Sequence, residues 1–145
     1  MLDAIPAKIE LGGGVACYNR ARDVICLPAP EAFDTVDDYQ ATFGHEAVHW
    51  SGAPHRLNRE FGARFGDEAY AFEELVAEIG SAAIGLRLGL RPQILDSHAA
   101  YLGHWVKILK DRPGALLEAS GHAQRAVDHL LAYSQPVETR QPLAA

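Results

Sequence analysis

A pair of histidines with a glutamate between them is the part of the sequence best suited to chemistry. The residues His45-Glu46-Ala47-Val48-His49 form an H-E-x-x-H motif. On a helix, side chains four positions apart lie on the same face, so two imidazoles at this spacing can bind one metal ion. The pattern is typical of zinc sites in which the glutamate takes a proton from a metal-bound water. We therefore expect His45 and His49 to be zinc ligands and Glu46 to be catalytic, with a third protein ligand elsewhere and a fourth position open to water.

The residues before and within the motif predict the helix that would carry it. No proline interrupts residues 36–50, and apolar residues at helical spacing form one stripe: Val36, Tyr39, Phe43, Ala47 and Trp50. At about 100° per residue, His45 and His49 fall roughly opposite this stripe. We expect one face of the helix to lie in a core and the other to present two imidazoles. The alternative is a surface helix with two solvated histidines.

A second helical segment, residues 70–86, could supply the third ligand. Glu74 and Glu78 lie four residues apart, on a side of the segment that is otherwise small: Ala71, Ala77, Ser81, Ala82 and Gly85. Small residues suit close helix packing, and carboxylates buried there must be paired or bind a metal. We expect Glu74 to be the third ligand and Glu78 to hold a liganding imidazole in its correct tautomer. Glu73 is expected to point elsewhere and is the second choice as ligand, and a solvated acidic face is the alternative for the segment.

The size and charge of the chain limit what it can be. A length of 145 residues fits one domain with a core, which we place at residues 1–135, followed by a flexible tail at 136–145. The net charge of −6 argues against nucleic-acid binding by the bulk surface. Arg56, Arg59 and Arg64 could form a local basic patch, and scattered surface arginines are the alternative.

The sequence also gives expectations about compartment and redox state. No apolar run approaches the length of a membrane span, and the N-terminus lacks the features of a signal peptide, so we expect a cytoplasmic protein without a membrane partner. Cys17 and Cys26 could lie on adjacent strands and face each other. In such a compartment we expect two reduced, half-buried thiols. Nothing in the sequence specifies an oligomeric state.

The order of predicted elements indicates an α+β fold. Short strands are predicted at residues 15–18 and 24–27, forming a small N-terminal sheet or hairpin. About four helices follow, at residues 31–50, 69–88, 94–109 and 116–133, with Thr35 or Asp34 capping the first. An exposed sheet edge beside the motif helix could bind an extended peptide by strand addition.

Several motifs occur together in one order: His45 to Trp50, Arg56-Leu57-Asn58-Arg59, Tyr70 to Glu78, and Tyr101 to Trp105. Together they resemble the zincin-type metallopeptidase domain of ArdC-type antirestriction proteins, which plasmids, phages and related mobile elements carry. The resemblance spans roughly residues 8–133. It implies a zincin-like fold and a zinc site at His45, His49 and a glutamate of residues 73–78.

The resemblance also bears on the third ligand and on DNA. The Glu74/Glu78 pair resembles the gluzincin arrangement, in which an acidic residue follows the glutamate ligand four positions later. Larger members of the family carry an N-terminal domain that binds single-stranded DNA, for which this chain has no room. DNA binding would therefore need a local patch or a missing domain.

These observations lead to one expected function and one alternative. We expect a zinc metalloendopeptidase with one Zn²⁺ per chain, acting on a protein or peptide in an antirestriction or mobile-element defence setting. Candidate oxyanion or substrate donors, each of which also fits a structural role, are His98, Tyr101, His104 and Tyr70. The alternative is a catalytically weak zincin scaffold that binds DNA or a protein partner. Glu46 favours catalysis, because binding alone needs no general base.

Overall fold

In the described part of the chain, the fold consists of three short strands followed by four helices. It is seen in a computed structural model that describes residues 2–62, 68–91 and 97–134, without the side chains of residues 3 and 97–102. The strands are β1 (Lys8–Leu11), β2 (Cys17–Asn19) and β3 (Val24–Leu27). The helices are α1 (Val36–Ser51), α2 (Glu68–Leu88), α3 (Ser97–Asp111) and α4 (Ala115–Ala132). The predicted α+β layout, a small N-terminal sheet followed by about four helices, is confirmed.

The sheet has the strand order β1-β3-β2. β2 and β3 form the expected antiparallel hairpin, and β1 adds to the other side of β3 in parallel, with Lys8 opposite Val24 and Leu11 opposite Leu27. The central strand is the apolar one, because Val24, Ile25 and Leu27 are fully buried. Among the described residues, β2 has β3 as its only neighbour, so its outer edge is left unpaired.

The two cysteines lie directly opposite each other across β2 and β3. Both are free thiols, as expected, and the prediction that they face each other is confirmed. Cys17 is exposed rather than half-buried because it lies on the edge strand, whereas Cys26 on the central strand is partly covered.

Helix α1 begins later than predicted. Thr35 has extended backbone angles and its side chain accepts a hydrogen bond from the Asp38 amide at 3.1 Å, which makes it the N-cap. The residues Pro30–Ala32 form a separate 3-10 turn, so the prediction of one helix from residue 31 was wrong. Val36 in the first turn is 73% exposed and does not join the predicted stripe. Residues 43–51 are all buried, because the sheet, α2 and α4 pack around this half of the helix.

Helices α1 and α2 cross closely because small residues lie between them. A Cβ added to Gly80 would lie 2.8 Å from a methyl group of Val48, and the Ser81 hydroxyl donates to the Ala41 carbonyl at 3.0 Å. This close approach brings the acidic side of α2 against the histidines of α1. Helix α4 covers α2 with a row of buried residues: Ala115, Ala119, Ala123, Ala126, Val127 and Leu130.

Within the described part of the chain, no helix combines the length and apolar character needed to cross a membrane. The predicted tail at residues 136–145 lies outside the described residues. The single-domain boundaries therefore remain a prediction.

The close helix crossing can be tested at Gly80. Gly80→Ala should destabilise the protein by about 1–3 kcal/mol, because the added methyl group would overlap Val48 in a packed interface. The matched control is Gly103→Ala in α3, where an added Cβ meets nothing within 4 Å. That change should be neutral or stabilise by up to about 1 kcal/mol, since alanine favours helix. Urea unfolding of both variants provides the measurement, and equal effects would contradict the packing argument.

Candidate metal centre

Three potential ligand atoms from α1 and α2 converge on one point. The Nε2 atoms of His45 and His49 are 3.1 Å apart. The carboxylate of Glu74 lies 3.4 Å from Nε2 of His45 and 3.5 Å from Nε2 of His49. The structure thus brings together the three side chains that the sequence analysis selected, as a group that could hold a metal ion.

The spacing of these atoms fits a tetrahedral metal. Bonds of about 2.0–2.1 Å, which zinc makes to histidine nitrogen and carboxylate oxygen, place neighbouring ligand atoms about 3.3 Å apart. The two Nε2 atoms are 3.1 Å apart, and each faces a different oxygen of Glu74, Oε2 at 3.4 Å from His45 and Oε1 at 3.5 Å from His49, so the side chains stand close to the separation that a shared ion requires. Two imidazoles and one carboxylate leave a fourth position open, which is typical of catalytic rather than structural zinc sites.

The outer nitrogen of each imidazole faces a further carboxylate. Nδ1 of His45 lies 3.4 Å from Oε1 of Glu78, on the side that the sequence analysis expected. The approach lacks hydrogen-bonding geometry, and this Nδ1 is buried without a hydrogen-bond partner among the described residues. Nδ1 of His49 instead makes a hydrogen bond of 3.1 Å with Oε1 of Glu73. The two imidazoles are therefore held differently.

Glu73 points away from the metal position, as expected, but it still belongs to the site. Glu73 is 3% exposed and contacts His49, although it does not belong to the group of three convergent ligands. The periodicity argument considered only the face aimed at the metal. An imidazole also presents a nitrogen on its far side, and a carboxylate one residue around the helix can reach it.

A second group that the sequence analysis missed is the Arg59 side chain. Its guanidinium donates to both carboxylate oxygens of Glu73, at 2.8 and 2.9 Å. It also donates to the Ser51 hydroxyl at 3.0 Å and to the Val48 carbonyl at 2.6 Å. Arg59 therefore ties the end of α1 to Glu73 and, through it, to His49.

The predicted local basic patch, and its alternative of scattered surface arginines, were both wrong for Arg56 and Arg59. Their side chains are only 8% and 3% exposed, because each is paired with a carboxylate, Asp23 or Glu73. Arg64, the third member of the patch, lies outside the described residues. Arginine type and spacing alone do not reveal such pairing, because both carboxylate partners are distant in sequence.

The titration behaviour of the site shows an excess of negative charge. Burial raises the pKa of Glu78 to about 7; the charge of His45 opposes this, and that of Glu74 adds to it. Burial disfavours the charged form of His45, but its hydrogen bond with Glu74 and the charges of Glu46 and Glu78 raise its pKa. The pKa of Glu74 is lowered despite burial, chiefly by the hydrogen bond with His45. A bound cation would compensate the same charge.

Glu46, the expected general base, is buried in α1 between the two histidines and is 7% exposed. Its charge also reaches the sheet: the pKa of the Cys17 thiol is raised by burial, by Cys26 and by Glu46. Helix α1, which carries Glu46, packs against β2, the strand with a free edge.

Of the candidate donors, the structure brings Tyr70 to the site. Its side chain makes a hydrogen bond with Glu74 that lowers the pKa of that carboxyl. His104 instead lines a cavity of about 70 Å³ with Glu68 and Lys107. His98 and Tyr101 belong to α3, but their side chains lie outside the described part.

Fold and site together define a class of protein. The chain belongs to the zincin-like metallopeptidase family MPTase-PolyVal, whose family model matches residues 1–122. The sequence-based assignment to the zincin-like domain of ArdC-type proteins is thereby confirmed.

The chain is similar to particular proteins within this family. The antirestriction protein ArdC of plasmid R388 has a similar structure in its Mn(II)-bound form, with a TM-score of 0.83 and 38% identity over 94% of this chain and 53% of that one. Its metal-free form gives a TM-score of 0.80 with 40% identity, covering 92% of this chain and 50% of that one. The DNA primase TraC of Escherichia coli is 42% identical over 120 residues, which are 83% of this chain and 11% of TraC. The chain thus spans about half of ArdC and a small part of TraC.

The raised pKa of Glu78 predicts a pH effect on the metal-free protein. Between the unfolded value of about 4.5 and the folded value of about 7, the folded state holds a proton that the unfolded state has lost. The stability that this proton provides is present below pH 4.5 and is lost as the pH rises to 7. Relative to Glu78→Gln, the wild type should therefore lose about 1–3 kcal/mol of unfolding free energy between pH 5 and pH 7.5. Urea unfolding at several pH values in the presence of a chelator measures the difference, and an identical pH dependence of the two proteins would contradict the assignment.

Proposed function

We propose that this chain is a zinc-dependent peptidase domain that hydrolyses peptide bonds, with His45, His49 and Glu74 as metal ligands and Glu46 as general base. The supporting observation is the convergence of two imidazoles and one carboxylate, all buried and able to hold one metal ion, directly beside the glutamate of the motif. When bound, Zn²⁺ would lower the pKa of a water molecule to about 7 and polarise the substrate carbonyl.

The side chains of the site have distinct tasks in this proposal. Glu46 takes a proton from the attacking water and later transfers it to the leaving amine. Tyr70 lies beside Glu74, where its hydroxyl can donate a hydrogen bond to the oxyanion that develops on the scissile carbonyl. Glu78 faces the outer nitrogen of His45 and favours the tautomer that leaves Nε2 free for the metal.

An extended peptide is the substrate shape that the surroundings favour. β2 offers an unpaired backbone edge, and the Glu46 charge acts on Cys17 of that same strand. A peptide added alongside β2 would pair its backbone with the strand and pass close to the general base. The expected partner is therefore a protein with an exposed extended segment.

Zinc is the proposed ion, at about one per chain. Imidazole and carboxylate ligands accept several divalent metals, and ArdC of R388 has been crystallised with Mn(II). At equal availability such a nitrogen-rich site binds Zn²⁺ more tightly than Mn²⁺. We further propose that the domain serves an antirestriction function on mobile elements, in keeping with the name of its structural relative.

Metal analysis tests the ligand set directly. The purified wild type should retain about one zinc, and His45→Ala and Glu74→Ala should each weaken zinc affinity by at least a hundredfold, because each removes a ligand. Glu68→Ala is the matched control, since this α2 carboxylate is 63% exposed and lies outside the site. A Glu74 variant that binds zinc as tightly as the wild type would refute the assignment of that ligand.

Hydrolysis is tested separately at Glu46. Glu46→Gln should bind zinc normally but lose peptidase activity by about 10²–10⁴-fold, because a carboxamide cannot take the proton. Glu31→Gln, at an exposed glutamate before α1, should leave activity unchanged. If Glu46→Gln retained the full biological effect, a binding scaffold that acts on DNA or a protein partner would replace the peptidase proposal.

A further inference from the structure

We infer that Arg59 and Glu73 are positioning residues for the metal centre, and that they act through His49 without touching the metal. Glu73 orients the imidazole of His49, and Arg59 fixes Glu73. This inference rests on the proposed metal site and adds the mechanism by which one of its ligands is preorganised.

The first step is the bond between Glu73 and His49. An ionised carboxylate can only accept a hydrogen bond, so Nδ1 of His49 must be the donor in the 3.1 Å contact. Both oxygens of Glu73 already accept hydrogen bonds from the Arg59 guanidinium, at 2.9 and 2.8 Å, which is the arrangement of a guanidinium paired with a carboxylate. With the proton on Nδ1, the lone pair of a neutral His49 lies on Nε2, the atom that faces His45 and Glu74.

The second step is the geometry of Arg59. Nε and one terminal nitrogen donate to the two oxygens of Glu73, at 2.9 and 2.8 Å. This bidentate arrangement fixes both the position and the rotation of the carboxylate, which a lysine ammonium cannot do. The remaining bonds of Arg59 go to Val48 and Ser51 at the end of α1, so Glu73 is held in register with the helix that carries His49.

The third step is the packing around the guanidinium. Arg59 and Glu73 are each only 3% exposed at the side chain, so water screens their interaction weakly. A Cβ added to Gly52 would lie 2.7 Å from the guanidinium and 2.8 Å from the ring of Phe61. Because Gly52 has no side chain, the Arg59 guanidinium can occupy this space. The arginine is thus packed in one place rather than resting on a surface.

His45 provides an internal contrast. Its Nδ1 lies 3.4 Å from Glu78 and makes no hydrogen bond with any described residue. The two histidines of the motif are therefore unequal. His49 has an orienting hydrogen bond at its outer nitrogen in this structure, whereas the outer nitrogen of His45 has none among the described residues.

Two variants and a matched control test the role of the pair. Glu73→Gln and Arg59→Lys should each weaken zinc affinity by about 10–100-fold, the range typical when a group that orients a metal ligand is lost. The control is Arg56→Lys, because Arg56 is also a buried arginine bonded to a carboxylate, Asp23, but its network contacts neither imidazole of the site. Arg56→Lys should lose stability while keeping the zinc affinity of the wild type.

Chemical rescue separates positioning from general damage. Arg59 lines a cavity of about 510 Å³, so Arg59→Ala should leave a space that a small cation can enter. Millimolar methylguanidinium should raise the zinc affinity of Arg59→Ala at least tenfold over its affinity without the added cation. It should have no effect on Glu73→Gln, which lacks the carboxylate that the added cation would bind.

A readout without metal completes the test. In the metal-free wild type, nitrogen-15 NMR of the imidazoles should show His49 with its proton on Nδ1, and Arg59→Lys should reduce the population of that tautomer. Wild-type zinc affinity in both Arg59→Lys and Glu73→Gln, or a proton on Nε2 of His49 in the metal-free protein, would overturn the inference. If the wild type bound no zinc, the proposed function itself would fail, and the positioning role with it.

Discussion

The site depends on one constraint: several carboxylates are shielded from water and their negative charge must be balanced. Glu46, Glu73 and Glu74 are buried and Glu78 is half-buried, and the last three each approach an imidazole of the site. Arg59 is the permanent cation bonded directly to this group, and it is bonded to Glu73. Buried carboxylates of this number are costly unless protons or a cation balance them. Burial raises the pKa of Glu78 to about 7, and the hydrogen bond with Glu74 raises the pKa of His45 despite its burial, so both groups keep a proton to higher pH than usual.

The packing of α1 against α2 makes that arrangement of charge possible. A glycine and a serine at the crossing let the helix backbones approach, so short carboxylate side chains reach across to the imidazoles. A larger residue at Gly80 would push the helices apart and separate Glu74 from His45 and His49. The apolar contacts at the helix crossing therefore set the distances between the polar groups of the site.

Much of this could be predicted from the sequence because helical periodicity is a local property. The spacing of His45 and His49, and of Glu74 and Glu78, fixed which side chains would lie together once both segments were helical. The cap at Thr35 was equally local. The convergence of the two helices followed from the small residues that flank the carboxylates.

Other features depend on contacts that no local pattern encodes. β1 pairs in parallel with β3. The sequence of β1 does not indicate which strand it pairs with. Arg59 looked like a surface residue because its partner Glu73 is supplied by a different element. The contact of Glu73 with His49 was missed because an imidazole has two nitrogens, and the periodicity argument considered only the one that faces the metal.

The ligands and the residues that hold them come from one continuous stretch of sequence, His45 to Glu78, contributed by two neighbouring helices and their connection. Interactions this close along the chain close short loops and cost little entropy to form. A centre built in this way behaves as a portable unit, because its assembly needs little from distant parts of a polypeptide. Matching regions make up about half of one relative and about a tenth of another, which agrees with such a unit.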